Sequence, residues 1–393
     1  MRASIENLPA SRIREVANAG MARGDVLAFW FGESDEPTPA FVRDAATESL
    51  ARGETFYAQN LGLPELREAI AAYTSDLHRG LSAERIAVTS SGVNALMIAM
   101  QALAGAGDEV VVVVPVWPNL PAQPAILGAD VKRFALDVRD GAWRLDVDAL
   151  LATVTGRTRV LLVNAPNNPT GWTLTRAEQQ AILEHCRRTG TWIVADEVYE
   201  RIWFGDGIAA PSFSEAGRLA APSFADIAEP DDRLVVAHSF SKSFLMTGWR
   251  LGWLVAPEAL VPTIGKLIEF NTSCAPVFVQ RGGLAALARA DDFIPGLVQR
   301  MRLCRDTLLP RLADLPRVRV ALPQGGMYAF FRVEGEDDSL AFAKRLVADA
   351  GLGLAPGSAF GDEAEGWLRW CFASRDPARL TEGVARLSRS LGL

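Results

Sequence analysis

Short segments that are apolar at every position recur along this chain, and longer amphipathic segments separate them. A strand that is covered by helices on both faces is apolar throughout, whereas a strand with one exposed face alternates apolar and polar residues. Segments such as TRAEQQAILEHCRRTG have the length and periodicity of helices. The pattern predicts an α/β fold in which a mostly parallel sheet lies between helices. The apolar segments are RIAVTS, DEVVVVVPVW, TRVLLVNAP, GTWIVADE, RLVVAHS and RLGWLVAP.

The pattern changes near residue 285, where long helical segments are followed by the short strand-like segments GGMYAFFRV and WLRWCFA. We therefore expect a large domain at residues 45–285 and a small α+β domain at residues 286–393. Residues 1–44 are expected to pack with the small domain. Residues 204–232 are rich in Gly, Pro, Ser and Asp, which predicts an excursion between two core strands.

The composition is that of a globular protein with a sizeable core, since 49% of its 393 residues are hydrophobic and 22% are charged. A formal net charge of -7 gives no reason to expect binding to nucleic acid or to an anionic membrane. The apolar runs are too short to span a bilayer, and the first residues lack a signal-peptide core. Four scattered cysteines and three histidines show no metal-ligand spacing. We expect a cytoplasmic protein without a metal site.

Lysine is rare in this chain, which has four lysines among its 40 basic residues. Lys242, in VVAHSFSKSF, is the one that follows the carboxyl end of a predicted strand among small polar and aromatic residues. Burial and neighbouring cations in such a place lower the pKa of an amine and make it nucleophilic. Arginine cannot form a Schiff base with an aldehyde, so a reaction that needs a primary amine explains the lysine.

Other candidate residues also follow predicted strands, where ligands bind in open parallel sheets. Ser91, Gly92 and Val93 lie between RIAVT and a helical segment, and free backbone N–H groups there would bind an anion such as phosphate. Ordinary strand-to-helix turns also contain Ser and Gly, so these residues would equally form a turn without a ligand. Trp117 follows VVVVP, where an aromatic ring either stacks on a planar ligand or packs in the core.

Three further strand ends carry polar residues. Asn168 lies in APNNPTGW, whose Asn, Pro and Gly are also typical of a plain turn. Asp196 ends GTWIVAD and precedes Tyr199 by three residues; its carboxylate would hold a ligand cation or cap the next helix. Ser239 ends RLVVAHS, and Arg250 follows in TGWRLGW. Each signal has a structural alternative when it is taken alone.

Taken together, these residues match one cofactor. Pyridoxal 5'-phosphate needs a lysine for its aldehyde, an acid for its pyridine nitrogen, an aromatic side chain over its ring, donors for its phenolic oxygen and a phosphate site. The chain supplies all five at successive strand ends. We therefore expect pyridoxal phosphate as the cofactor.

The sequence closely resembles the class I/II aminotransferases of pyridoxal-phosphate fold type I, of the aspartate aminotransferase-like kind, over nearly its whole length. The resemblance implies an α/β large domain, a small domain formed by the N- and C-terminal segments, and a cytoplasmic homodimer. It also implies an enzyme of amino acid metabolism and biosynthesis that moves an amino group between an L-amino acid and a 2-oxo acid. The matching motifs are FGESDEPTP, ETFYAQNLGLPELREAIAAY, SSGVNAL, APNNPTG, DEVY, SFSKSFLMTGWRLGW, PQGGMYAFF and LRWCFA.

The resemblance also implies roles for the residues that react with the cofactor ring or hold it. Lys242 binds the aldehyde and later moves the proton of the substrate Cα. Asp196 pairs with the pyridinium nitrogen and keeps it protonated. Asn168 and Tyr199 hold the phenolic oxygen, and Trp117 stacks on the ring.

The phosphate and the substrate carboxylate have their own implied ligands. The residues implied for the phosphate are Ser91, Gly92, Val93, Ser239, Arg250 and, from the other subunit of the homodimer, Tyr57. Arg369 is implied to bind the substrate α-carboxylate in bidentate fashion, with help from Gly32 and Asn168. A structural alternative remains for each of two residues: Arg369 would pair with a buried carboxylate, and Tyr57 would belong to the core.

Val93 departs from the pattern of bacterial members selective for aspartate, which often have a lysine in this turn. Strict aspartate specificity is therefore not expected. The aromatic residues Phe29, Trp30 and Phe31 beside Gly32 point to an apolar or aromatic substrate side chain, or they simply pack. Arg12 and Arg14 near the N-terminus would instead meet an acidic group of the substrate.

Two alternatives to transamination follow from the same residues. The fold also supports lyases, cyclases and oxidases that act on amino acids with the same cofactor. A transcription regulator with an aminotransferase-like sensor domain is the second alternative. The family pattern begins within the first few dozen residues and the net charge is negative, so a DNA-binding module is not expected.

Overall fold

The computed structural model describes residues 2–205, 212–213 and 219–393. Its amino-terminal part is mainly helical and leads into the large domain. Ser11 caps the second of these helices, because its side-chain oxygen accepts a hydrogen bond from the backbone N–H of Arg14. The elements are α1 (Ala3–Glu6), α2 (Arg12–Gly20), β1 (Leu27–Ala28), α3 (Ala40–Ala51) and α4 (Pro64–Leu77).

A seven-stranded sheet forms the centre of the molecule, with the strand order β2-β12-β11-β8-β7-β3-β4. β12 runs antiparallel to both of its neighbours, and the other pairs are parallel. The elements of this region are β2 (Ile86–Thr89), α5 (Gly92–Leu103), β3 (Glu109–Val114), α6 (Asn119–Leu127), β4 (Asp130–Ala135), β5 (Asp137–Arg139), β6 (Ala142–Arg144), α7 (Val147–Thr153), β7 (Thr158–Asn164), α8 (Arg176–Thr189), β8 (Trp192–Asp196), β9 (Ser212–Phe213), β10 (Leu219–Ala220), β11 (Leu234–Ser239) and β12 (Gly252–Val255).

Both faces of this sheet are buried, as the continuous apolar segments predict. In β3, Val111 and Val113 belong to one hydrophobic core, and Val110, Val112 and Val114 belong to another. Successive side chains of a strand point to opposite faces, so each face of the sheet packs against its own layer. The prediction of a mostly parallel sheet between helices is confirmed.

The carboxyl-terminal part adds helices and a smaller antiparallel sheet with the order β13-β14-β17-β16. β1 pairs in parallel with β15, so the amino-terminal segment joins this part of the chain. The domain limits at residues 44 and 285 stay predictions. The elements are α9 (Val261–Thr272), α10 (Val277–Ala288), α11 (Ala290–Ala313), β13 (Val318–Val320), β14 (Tyr328–Val333), α12 (Ser339–Arg345), β15 (Leu352–Gly353), β16 (Ala355–Pro356), β17 (Trp367–Cys371) and α13 (Ala378–Ser390).

The segment 204–232 connects β8 to β11, two adjacent parallel strands of the sheet. Within it, β9 and β10 form a short antiparallel pair. Residues 206–211 and 214–218 of this predicted excursion lie outside the described residues. Among the helices that the structure describes, none has both the length and the apolar character that crossing a membrane requires.

Candidate active site

A cavity of about 500 Å³ lies where several strands of the sheet end. Asn164, Asp196 and Ser239, the last residues of β7, β8 and β11, line it, because these parallel strands end at the same level. Most of the residues predicted from the sequence to form the site also line it. These are Gly32, Gly92, Val93, Trp117, Asn168, Asp196, Tyr199, Ser239, Lys242, Arg250 and Arg369.

Lys242 lies in the turn that follows β11, and its side chain points into the cavity. Its Nζ donates a hydrogen bond of 2.7 Å to the carbonyl oxygen of Gly32 in the amino-terminal segment. Burial lowers the pKa of the Lys242 amine from 10.5 to about 8. More of the amine is therefore unprotonated at neutral pH than in an exposed lysine, and the unprotonated form is the one that attacks a carbonyl carbon.

Asp196 ends β8 and is almost completely buried. Burial raises the pKa of its carboxyl group to about 7, although Lys242 favours the ionised form. The carboxylate accepts one long hydrogen bond of 3.4 Å from the backbone N–H of Val198. A protonated ring nitrogen beside this carboxyl group would satisfy it and restore its negative charge, so Asp196 fits a pyridinium ion.

Tyr199 and Asn168 offer hydrogen-bonding groups on the other side of the cavity. The hydroxyl oxygen of Tyr199 lies 2.7 Å from the hydroxyl oxygen of Tyr328. The side-chain oxygen of Asn168 accepts a hydrogen bond of 2.9 Å from Arg369. In the described residues, the Asn168 amide nitrogen has no such partner, so it is available to a ligand oxygen.

The beginning of α5 and the end of β11 form a narrow cup. Ser91 adopts φ 134°, and its side chain caps α5 by accepting from the backbone N–H of Asn94. A Cβ atom on Gly92 would lie 2.9 Å from the Cβ of Ser239, so the glycine is required for this close approach. Ser91 itself therefore supports the turn, while Gly92 and Val93 line the cavity.

Arg250 contributes a positive charge to this cup. Its Nη1 lies 3.5 Å from Ser241 Oγ and donates to the carbonyl oxygen of Thr247 at 2.6 Å. Burial lowers the pKa of Arg250, and the part of the chain that the structure describes offers no carboxylate to pair with it. A guanidinium group beside serine hydroxyls and a helix N-terminus fits a phosphate group.

Arg369 lies in β17 with a relative exposure of 2%. Its Nη2 donates to the carbonyl oxygen of Trp30 at 2.5 Å, and its Nε is buried without a hydrogen-bond partner. The alternative of a buried partner carboxylate is not observed among the described residues. A guanidinium group without a counter-ion, facing a cavity, fits a carboxylate ligand.

Trp117 and Tyr57, which are both predicted to contact the cofactor, lie in different surroundings. Trp117 lines the cavity, and its backbone N–H donates to the carbonyl oxygen of Asn168 at 2.8 Å, which fixes the position of the indole. Tyr57 has a relative exposure of 89% and lies outside the cavity of its own chain.

The structure also brings residues to the cavity that sequence reasoning gave no role. Ser11, Glu33, Thr247 and Tyr328 all line it. Glu33 directly follows Gly32, a predicted site residue, and this adjacency could have indicated that Glu33 also lies at the cavity. Tyr328 lies in the motif PQGGMYAFF, where a single tyrosine among apolar residues gives no indication of its partner.

A buried network of ionisable groups connects two histidines to two carboxylates. His78 bonds to Asp226 at 2.8 Å and to Glu200 at 3.2 Å, and His238 lies 3.5 Å from Glu200. Burial alone would lower the pKa of His78, but the hydrogen bonds to the two carboxylates raise it to about 10. These histidines were not expected to have partners, because the groups are far apart in sequence.

The molecule is thus an α/β protein whose cavity brings together the Lys242 amine, the Asp196 carboxyl group and the guanidinium groups of Arg250 and Arg369. Residues 25–387 match the sequence model of the family "Aminotransferase class I and II". The chain therefore belongs to the class I and II aminotransferase family, and it is a transaminase. This family uses pyridoxal phosphate.

Individual relatives agree with this membership. A probable aspartate/prephenate aminotransferase of Aquifex aeolicus is 32% identical over 98% of this chain and 95% of its own length. An arginine–pyruvate transaminase of Pseudomonas aeruginosa is 32% identical over 88% of this chain and 85% of its own. The crystal structure of aspartate aminotransferase from Thermotoga maritima superposes with a TM-score of 0.88 at 31% identity, covering 100% of both chains.

Proposed function

We propose that the cavity holds pyridoxal phosphate and that Lys242 binds it covalently during the transfer of an amino group between an L-amino acid and a 2-oxo acid. The observation that carries this proposal is the half-buried Lys242 side chain, whose amine has a pKa lowered to about 8, in a cavity shared with the carboxyl group of Asp196. When bound, the cofactor supplies an aldehyde that exchanges amino groups and a ring that withdraws electrons from the substrate Cα. Every other part of the reaction is assigned to residues of this chain.

Lys242 moves the proton. Its unprotonated Nζ would take the proton from the substrate Cα as a base and then give it up again as an acid. The lowered pKa suits this exchange, because a general base works best when its pKa lies near the operating pH. The carbonyl oxygen of Gly32 holds Nζ at 2.7 Å and limits its motion.

Asp196 holds a proton on the ring nitrogen, because its buried carboxylate is stabilised by a positive partner. Tyr199 and Asn168 donate to the phenolic oxygen. Trp117 lines the cavity, and its indole would stack on the ring and exclude water from it. Together these residues would hold the ring within reach of Lys242, which favours the proton transfer.

Two cationic sites orient the reactants. Arg250, Ser239 and the N–H groups at the start of α5 bind the phosphate, and Arg369 binds the substrate α-carboxylate. Asn168 contacts Arg369 directly at 2.9 Å, so the carboxylate site and the ring site share a residue. This arrangement directs the substrate Cα toward Lys242.

The part of the cavity that would contact the substrate side chain has both apolar and charged residues. Val93 and Phe31 are apolar, while Arg14 and Glu33 carry opposite charges. The guanidinium of Arg14 lies 4.8 Å from the centre of the Phe31 ring, and none of the described carboxylates pairs with it. We propose a donor range broader than aspartate, which agrees with Val93 in place of a lysine.

We propose that the active form is a homodimer in which Tyr57 reaches the phosphate site of the partner. Tyr57, Phe56 and Phe270 have relative exposures of 89%, 84% and 88%. Large aromatic side chains left this exposed in a single chain mark an interface. Light scattering should give twice the mass of the chain, and a monomer that binds the cofactor with full affinity would contradict the proposal.

We also propose that the enzyme works in the cytoplasm in amino acid biosynthesis. Its four cysteines are unpaired in the structure, which suits a reducing compartment. Cell fractionation with an antibody against the protein checks the location, and recovery in an oxidising compartment would contradict it.

The function is tested by replacing the lysine. Lys242→Ala should lower kcat by about 10⁴-fold or more while the protein keeps its fold and its non-covalent affinity for the cofactor. Lys266→Ala, a change of another lysine outside the cavity, is the matched control and should leave kcat unchanged. Normal turnover by Lys242→Ala would overturn the proposal.

A further inference from the structure

Tyr328 lies between two residues that serve different ligands. It is the first residue of β14, is fully buried, and faces the cavity. Its hydroxyl oxygen lies 2.7 Å from that of Tyr199, and the two rings meet edge to face at 79°. The guanidinium carbon of Arg369 lies 4.5 Å above the centre of the Tyr328 ring. Tyr328 thus contacts both the residue near the phenolic oxygen and the residue near the substrate carboxylate.

The site is built to accept this hydroxyl group. A Cβ atom on Gly32 would lie 2.2 Å from the Tyr328 hydroxyl oxygen, so any larger residue at position 32 would displace it. Among the described residues, Tyr199 is the hydrogen-bond partner of the Tyr328 hydroxyl group. The close packing leaves the Tyr328 hydroxyl few positions other than the one facing Tyr199.

The number of available protons determines the direction of the hydrogen bond between Tyr199 and Tyr328. Each phenol has a single O–H donor. Burial raises the pKa of both Tyr199 and Tyr328, so both hydroxyl groups keep their protons at neutral pH. If the Tyr199 proton points to the cofactor, it cannot also lie in the 2.7 Å contact. The proton in that contact must then come from Tyr328.

We propose that Tyr328 is a positioning residue, whose hydroxyl group donates to Tyr199 and thereby directs the Tyr199 proton to the phenolic oxygen of the cofactor. This inference rests on the proposed function. A phenol that accepts a hydrogen bond becomes a stronger donor, because successive hydrogen bonds polarise one another. Tyr328 therefore strengthens the interaction that Tyr199 makes, without touching the cofactor oxygen itself.

Arg369 connects this pair to the substrate. A cation over the face of a phenol ring makes its O–H a better donor, and Arg369 occupies that place at 4.5 Å. Binding of a substrate carboxylate neutralises Arg369, which weakens donation by Tyr328 and then by Tyr199. The chain Arg369–Tyr328–Tyr199 thus lets the phenolic oxygen respond to the presence of a carboxylate.

Other groups nearby also affect the charge state of the cofactor, and the experiment must hold them constant. Tyr328 is packed against β17, which contributes Arg369 and Cys371, and against the end of β8, which contributes Asp196 and Tyr199. Lys242 lies in the same cavity. None of these residues changes in the Tyr328→Phe variant, which keeps the ring and loses the hydroxyl group alone.

The test is a pH titration of the visible absorption of the cofactor-loaded protein. A donor at the phenolic oxygen stabilises the form in which that oxygen is negative and the Lys242 nitrogen is unprotonated. Weaker donation should therefore raise the pKa of the absorption change. For Tyr328→Phe we expect an increase of about one pKa unit, the size of one lost hydrogen bond.

Two further variants separate a positioning role from a structural one. Tyr73→Phe removes the hydroxyl group of another buried tyrosine, which bonds to Arg201 at 3.3 Å outside the cavity, and should leave the absorption pKa unchanged. Tyr199→Phe should raise it more than Tyr328→Phe does. Adding Tyr328→Phe to Tyr199→Phe should have no further effect, because the path through Tyr199 is already lost.

The outcomes are distinct. The inference is overturned if Tyr328→Phe leaves the absorption pKa unchanged. It is also overturned if Tyr328→Phe raises that pKa equally in the wild-type and in the Tyr199→Phe background. Both results leave the proposed function intact. A wild-type protein that binds no cofactor overturns the proposed function instead. With an unreactive monocarboxylate present, the wild-type absorption pKa should move more than that of Tyr328→Phe.

Discussion

The amine of Lys242 and the carbonyl oxygen of Gly32 lie 2.7 Å apart, although 210 positions separate the two residues in the chain. The contact joins the turn after β11 to the amino-terminal segment. Gly32 has no side chain because the Tyr328 hydroxyl group fills that space. Gly32 therefore binds the Lys242 amine through its backbone and leaves room for the Tyr328 hydroxyl group.

The lowered pKa of Lys242 has a direct kinetic consequence. Only the unprotonated amine attacks an aldehyde, so the rate of cofactor binding to the cofactor-free protein should rise with pH with a midpoint near pH 8. Stopped-flow absorption at constant ionic strength measures this rate. The blocked amino acid Nα-acetyl-lysine, measured in the same buffers, should show its midpoint near pH 10.4. A protein midpoint equal to that of the blocked lysine would show that burial does not tune Lys242.

Replacement of Asp196 tests the partner of the ring nitrogen. Asp196→Asn keeps the shape and removes the negative charge, so kcat/KM should fall by about 10³-fold, while the cofactor remains bound at high concentration. Asp196→Glu should recover part of the loss, because the charge returns in a displaced position. Near-normal turnover by Asp196→Asn would remove this residue from the mechanism.

Arg369→Gln tests the carboxylate site. Loss of a bidentate, charge-assisted contact should raise KM for amino acids by about 10²-fold. The control is a primary amine without a carboxylate, whose slow reaction with the bound cofactor should hardly change in the variant. An equal loss for the amine and for amino acids would mean that Arg369 supports the fold rather than the substrate.

His78 should stabilise the protein in a pH-dependent way. Hydrogen bonds to Asp226 and Glu200 raise its pKa to about 10, whereas an unfolded histidine has a pKa near 6.5. The stabilisation is therefore complete below about pH 6.5 and is lost as the pH rises toward 10. His78→Leu should lower the free energy of unfolding by about 3 kcal/mol at pH 6, because it removes the positive partner that Asp226 and Glu200 share and leaves them, among the described residues, with Arg176 and His238 alone.

Urea unfolding at a fixed protein concentration measures this difference. The gap between wild type and His78→Leu should narrow between pH 7 and pH 10. His185→Leu, which removes a half-buried histidine that contacts the carbonyl oxygen of Val154, is the control and should show no narrowing in this range. A gap that stays constant up to pH 10 would refute the charged state of His78.

Much of the large domain was predictable, because its strands are apolar on both faces and that pattern is local. The strand ends then indicated Asp196, Ser239 and Lys242, since parallel strands bring their carboxyl ends together. The apolar segment of β12 would have the same composition in a parallel or an antiparallel strand, so the antiparallel direction of β12 could not be predicted from it. The fold class followed from such segments, whereas the roles of the individual residues stay predictions.

Other parts of the site depend on contacts between distant segments. Tyr328 meets Tyr199 across 129 positions, and His78 meets Asp226 across 148, so no short motif contains either pair. Tyr57 is 89% exposed in the single chain, so its role at a partner's phosphate site stays a prediction. Periodicity and turn chemistry describe neighbours in sequence, and these contacts are set by the packing of whole elements instead.

The central claim is tested most directly by the visible absorption of the purified protein, recorded before and after the addition of single amino acids without a 2-oxo acid. The panel should include acidic, basic and aromatic donors, because Arg14, Glu33 and Phe31 all line the cavity. We predict a yellow cofactor band that particular amino acids convert to the absorption of the aminated cofactor, with one equivalent of 2-oxo acid released. A band that no amino acid converts, or that disappears with release of ammonia, would contradict amino transfer. No band after incubation with pyridoxal phosphate would contradict the cofactor itself.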